Sequence, residues 1–153
     1  PAFRVGDVRV KVLAGSAWKH TSPVSFPWPI LYVALETDSD ADIILPAEMA
    51  IERALYVVTG SAQIGASIVT EGRMAVLGSD TDVTVKLAAG TKAMVCGGAP
   101  MESPRKMDWN FVSSDTAKIE QAKVDWTAAM EAGGSERFPL VPGDEEEWIP
   151  IPS

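Results

Sequence analysis

The side chains able to do chemistry are few and scattered. His20 is the single histidine of the 153 residues. It stands between Lys19 and Thr21, and no G-x-S-x-G elbow accompanies it, so nothing makes it the base of a nucleophilic pair. A solvated or capping imidazole is expected. Cys96 is the one cysteine; it closes an apolar run before Gly97-Gly98 and reads as a small buried hydrophobe. Asp38-Ser39-Asp40-Ala41-Asp42 opens like a calcium loop. The sixth position is Ile43 and the twelfth is Met49, however, where such a loop needs Gly and a bidentate Glu. A solvated acidic turn is expected there, and a charged exposed stretch at Glu145-Glu146-Glu147. No Gly-rich run leads into a helix with Lys and Ser or Thr, so there is no phosphate loop. Neither a catalytic set nor a metal-ligand set assembles from these residues.

The elements that must carry them are strands. Val8, Val10 and Val12 alternate with Arg9 and Lys11, and Val83, Val85 and Leu87 alternate with Asp82, Thr84 and Lys86. That period of two gives one apolar and one polar face. Between them lie further short runs, 30–36, 54–59, 62–64, 74–77 and 93–96, each bounded by Gly, Pro, Asp or Ser. Short strands at this spacing, with no helical pattern between them, indicate an antiparallel sandwich or barrel. Gly60, Gly65, Gly72, Gly78 and Gly90 punctuate them where turns call for positive φ. The pattern predicts a barrel over 1–112, then one helix and an extended tail over 113–153, within one structural domain. The helix is predicted from about 115 to 131, with Ile119, Ala122, Trp126 and Met130 on one face and Gly133-Gly134 as its stop. The tail holds Pro139, Pro142, Pro150 and Pro152, and its Trp148-Ile149-Pro150-Ile151 segment is apolar enough to dock on a surface.

Composition narrows the function. Apolar residues make up 46% and charged residues 22%, an ordinary globular balance. A net charge of −8 disfavours a phosphate backbone as partner. No apolar run reaches the ~20 residues of a membrane helix, and no signal peptide is visible. A cytoplasmic location is expected, and the first residue, Pro1, reads as a processed or cut start.

Several fragments in order resemble the C-terminal half of the pirin family, proteins of two cupin barrels in tandem. They are Pro29-Ile30-Leu31-Tyr32-Val33, 52–60 (ERALYVVTG), 74–78 (MAVLG), 97–101 (GGAPM), 109–114 (WNFVSS), 119–122 (IEQA), 138–145 (FPLVPGDE) and 149–152 (IPIP). The resemblance implies a mainly β, cupin-type jelly-roll barrel of six to eight strands. It also implies that an iron-type metal, held by three His and one Glu, sits in an N-terminal barrel that these residues do not include. Some pirin-like proteins are similar to quercetin dioxygenases. Counting back from Gly60 places Arg53 where a cupin carries its acidic ligand, and 46–49 where it carries its histidines. A mononuclear iron site wants imidazole and carboxylate together, so this barrel is expected to hold no metal.

Three roles are then open. The chain is a structural half of a two-barrel enzyme, with Trp109, Phe111 and Trp148 as interface candidates and Trp126 expected to pack within its own domain. Its partner in that case is the N-terminal cupin or a second copy. Alternatively a pocket survives in the barrel and binds a small molecule, with Glu48, Arg53, Tyr32 and Tyr56 as lining. The third role, a regulatory protein-interaction module, rests on the resemblance alone.

Overall fold

The computed structural model describes residues 1–152. In chain order the strands are β1 (Ala2–Val5), β2 (Val8–Ala14), β3 (Ser16–Ala17), β4 (His20–Thr21), β5 (Ile30–Glu36), β6 (Ala41–Leu45) and β7 (Glu52–Thr59). They continue as β8 (Ser61–Ile64), β9 (Ser67–Thr70), β10 (Met74–Leu77), β11 (Val83–Leu87), β12 (Lys92–Gly98), β13 (Lys106–Asp108) and β14 (Phe111–Ser113). The helix α1 is Thr116–Glu131. The chain forms two compact units, Pro1–Pro100 and Met101–Ser153, so the β13–β14 hairpin groups with the helix.

The first unit is a sandwich of two antiparallel sheets. One has the order β1-β2-β5-β12-β7-β10 and the other β6-β11-β8-β9. Period-two alternation sends Val8, Val10 and Val12, with Leu31, Val33 and Leu35, to the inside. Leu55, Val57 and Val95 join them from the same sheet, and Ile43, Leu45, Val85 and Leu87 meet them from the other in one apolar cluster. The outer side of the larger sheet carries the polar Arg9, Lys11 and Glu36 that alternation in a half-solvated sheet predicts, and large apolar groups beside them. Tyr32, Val58, Met74 and Val76 stand exposed there, Val76 at 86%.

The predicted strands all form, and seven more join them: β1, β3, β4, β6, β9, β13 and β14. β1 pairs with β2 through Phe3 opposite Val10. β6 begins inside the stretch expected to be an acidic turn, at Ala41 and Asp42: Asp38 and Asp40 stay in the turn, whereas Ile43 and Leu45, just beyond it, point inward. The β3–β4 hairpin turns on Trp18 and Lys19, both with positive φ (46° and 63°). That is the handedness two-residue hairpins need, here without the usual Asn or Gly. Among the punctuating glycines, Gly60, Gly65, Gly72 and Gly90 take positive φ. Gly78 does not; it contributes a carbonyl instead, described below.

The second unit is built around its helix. Asp115 caps it, its carboxylate accepting from Ala117 N–H at 2.9 Å, which satisfies one of the helix's orphan donors. The stop follows at Gly133 (φ 75°) and Gly134 (φ 106°). Trp109 packs edge-on against Phe111 and Trp126, and Trp126 against Phe138. Among the described residues no helix is long and apolar enough to cross a membrane.

Candidate functional site

One end of the sandwich concentrates the unusual polar structure. Strand β7 presents Arg53 in phase with Leu55 and Val57, so its side chain enters the core side of the sheet and is 2% exposed. Among the described residues no carboxylate meets it. Its Nη1 donates to the carbonyls of Leu45 (3.0 Å) and Pro46 (2.5 Å). Its Nη2 donates to the carbonyls of Gly78 (2.7 Å) and Thr81 (2.9 Å). Nε is buried with no partner. The planar fork suits this task, because two nitrogens reach two separate segments at once. Arg53 thereby ties the end of β6 and the β10–β11 turn to the larger sheet. A second strut, Ala47 N–H to the Asp82 carboxylate at 2.9 Å, joins the same two segments.

Those segments frame a cleft of about 340 Å³. Glu48, Met49 and Ile51 come from the stretch holding a short 3-10 turn (Ala47–Met49) after β6, Ser79 and Asp80 from the β10–β11 turn, and Ile30 and Ala99 from the ends of β5 and β12. At this end β12 runs close to β7. A Cβ on Gly97 would stand 2.0 Å from the Glu52 carbonyl oxygen, so only glycine fits there.

Of the four pocket candidates, only Glu48 lines this cleft. Arg53 lies in the core beneath the same end. Tyr32 and Tyr56 alternate with the inward Leu31 and Leu55 and therefore occupy the outer face of the sheet, away from both. Asp80, Met49, Ile51 and Ala99 were not among the candidates. They come from turns some 20 to 50 positions apart, where no periodicity links them; only the cupin resemblance, which named Arg53 and Glu48, pointed to this end. Among the interface candidates, Trp109 and Phe111 sit in the aromatic cluster of the second unit. Trp148 is 44% exposed, and the following Ile149 carbonyl accepts from Trp126 Nε1 at 3.0 Å.

The lone reactive side chains are spent locally. His20 is exposed, with Nδ1 2.8 Å from the Trp18 carbonyl and its ring stacked on Phe3. Cys96 is half-buried rather than interior, because its register puts it on the outer side of β12. Asp38 is hydrogen-bonded by Arg9, which holds its carboxyl below the usual range. Among the described residues no three of His, Cys, Asp and Glu cluster where they could hold one metal ion.

A two-sheet antiparallel sandwich followed by a helix is the architecture of a cupin domain. Residues 32–131 match the family model for the pirin C-terminal cupin domain, and the chain belongs to that family. A pirin-like protein of Caulobacter vibrioides is 35% identical over 152 residues, which is 99% of this chain and 50% of that protein. A Pseudomonas aeruginosa protein provisionally named a quercetin 2,3-dioxygenase is 25% identical over 153 residues, 99% of this chain and 48% of that one. In three dimensions the chain is similar to a quercetin 2,3-dioxygenase of Acinetobacter baumannii. The TM-score is 0.85 and the identity 23%, over 100% of this chain and 50% of that one. The chain thus spans about half the length of the relatives it matches.

Proposed function

We propose that this chain is the metal-free, structural half of a two-cupin protein whose other barrel holds an iron-type metal and does quercetin-dioxygenase-type chemistry. Arg53 carries the reading. By the count back from Gly60 it takes the position where a metal-binding cupin carries an acidic ligand, and it brings a positive charge there instead. Its four carbonyl partners are committed to a guanidinium. A mononuclear iron site requires imidazole and carboxylate donors, so the residues at this end do not fit such a metal, and no step of catalysis is assigned to them. The guanidinium does the mechanical work of a metal instead, holding the two segments at the mouth of the sandwich to the larger sheet.

The family and the lengths of the relatives support a second barrel as the principal partner; a cytoplasmic location goes with this reading. A self-dimer is the alternative partner. The exposed Trp148 supplies apolar area of the kind that anchors interfaces. The test is metal content, measured by atomic emission on the whole gene product and on this chain alone. Iron, nickel or zinc well below stoichiometric in this chain, and stoichiometric in the whole product, is the expected result. Stoichiometric metal in this chain alone, abolished by Glu48→Gln, would sink the reading.

A further inference from the structure

We propose that the cleft at the end of the sandwich binds a small organic ammonium ion, with its charge toward Glu48 and Asp80 and its apolar body against Met49, Ile51 and Ala99. The proposal stands whether or not a second barrel exists.

The cleft is built rather than incidental. Its two carboxylates, Glu48 and Asp80, stand 32 positions apart in the chain, and both segments are fixed by the same buried group. Arg53 holds the Pro46 carbonyl, just ahead of the turn that carries Glu48, and the Gly78 and Thr81 carbonyls, which bracket Ser79 and Asp80. The Ala47-to-Asp82 bond closes the frame from outside. Rigid walls reduce what binding costs in ordering. The volume of about 340 Å³ lies at the lower end of the range for small-molecule sites.

The lining selects the class of ligand. Glu48 and Asp80 are the charged groups of the cleft, and among the described residues neither is in an ion pair. Arg53 offsets one of their two negative charges from below, and four of its N–H groups are taken, so a net negative charge faces the opening. That repels a carboxylate or a phenolate. It does not suit a bare calcium ion either, which wants six to eight oxygen ligands, because Ile30, Met49, Ile51 and Ala99 offer apolar side chains. An ammonium group on a compact apolar body satisfies both halves of the lining. Ile51, 59% exposed, is then partly covered by the ligand.

The experiment titrates the nitrogen-15-labelled chain with benzylammonium, benzyl alcohol and benzoate, which share a shape and differ in charge. Benzylammonium is expected to bind in the roughly millimolar range that a ligand of about eight non-hydrogen atoms reaches. Amide shifts should concentrate at 47–51, 79–80 and 98–99. Benzyl alcohol should bind up to about fivefold more weakly, the worth of a solvent-screened charge contact, and benzoate should cause no shift. The double variant Glu48→Gln, Asp80→Asn changes only exposed side chains. It should bring benzylammonium down to the affinity of the alcohol and leave the alcohol unchanged. Absence of binding by the amine, benzoate binding of equal strength, shifts centred elsewhere or a double variant without effect would each overturn the proposal. Calcium displacing the amine at lower concentration would overturn it in favour of a metal site.

Discussion

Replacing Arg53 by Met keeps a long side chain in the core and removes every donor. Four charge-assisted hydrogen bonds disappear, a gross loss of about 6–12 kcal/mol at 1.5–3 kcal/mol each. Against that stands relief from burying a cation with no carboxylate beside it, a cost of several kcal/mol. The Leu45 carbonyl is left in the interior, whereas those of Pro46, Gly78 and Thr81, nearer the surface, take up water. The balance is a destabilisation of about 3–5 kcal/mol, a large part of the 5–15 kcal/mol by which a domain is usually stable. Urea unfolding followed by circular dichroism measures it, with m required to stay constant so that the shift in midpoint reports stability. In a thermal scan the same loss lowers Tm by roughly 10 °C. Arg53→Lys serves as the companion variant. It keeps the charge but offers three donors from a single point, which cannot span the two segments, and it should lose at least about 2 kcal/mol. A Met variant within about 1 kcal/mol of the parent would refute the argument that this guanidinium holds the mouth together.

Two further predictions rest on separate parts of the first and second units. Gly97→Ala drives a Cβ to 2.0 Å from the Glu52 carbonyl and should cost about 3 kcal/mol through forced separation of β7 and β12. Gly65→Ala, with open space but φ of +57°, should cost about 1 kcal/mol, and equal losses from the two would refute the clash. The carboxyls of Asp38 and Asp125 are both held below the ordinary value of 3.8. The Arg9 hydrogen bond is the main cause for Asp38, and Gln121 followed by Arg137 for Asp125. A depressed folded pKa gives stability that is present above pH 3.8 and lost as pH falls through the folded value. Asp38→Asn and Asp125→Asn should therefore flatten the acid limb of stability below pH 4. Carbon-13 titration curves with midpoints at or above 3.8 would contradict this.

The strands were legible because Val8, Val10, Val12 and Val83, Val85, Leu87 carry their period openly. The helix was legible from its cap, stripe and stop, and begins one residue after the predicted start. The β3–β4 hairpin was not, since Trp18 and Lys19 hold positive φ without residues that favour it. β6 was hidden because Asp42 and Ile44 face outward, and the acid beside Asp38 and Asp40 made a turn look complete. At the candidate site, Glu48 and Arg53 could be named from the cupin resemblance. Their separate fates could not, because the sequence does not say which carbonyls will converge on a guanidinium. Tyr32 and Tyr56 were separable from the interior by parity alone: each is one step from a buried leucine.

Tyr32, Val58, Met74 and Val76 lie open to water on the outside of a sheet whose inside is already core. Such patches attract one another only over molecular contact. The net charge of −8 repels over a Debye length of about 10 Å at 0.1 M salt. Added salt removes the longer-ranged force and leaves the shorter, so the osmotic second virial coefficient falls as ionic strength rises. Near the isoelectric point of about 4.6 it turns negative. The concentration this chain reaches in solution is set there by colloidal balance, while the fold itself is still intact.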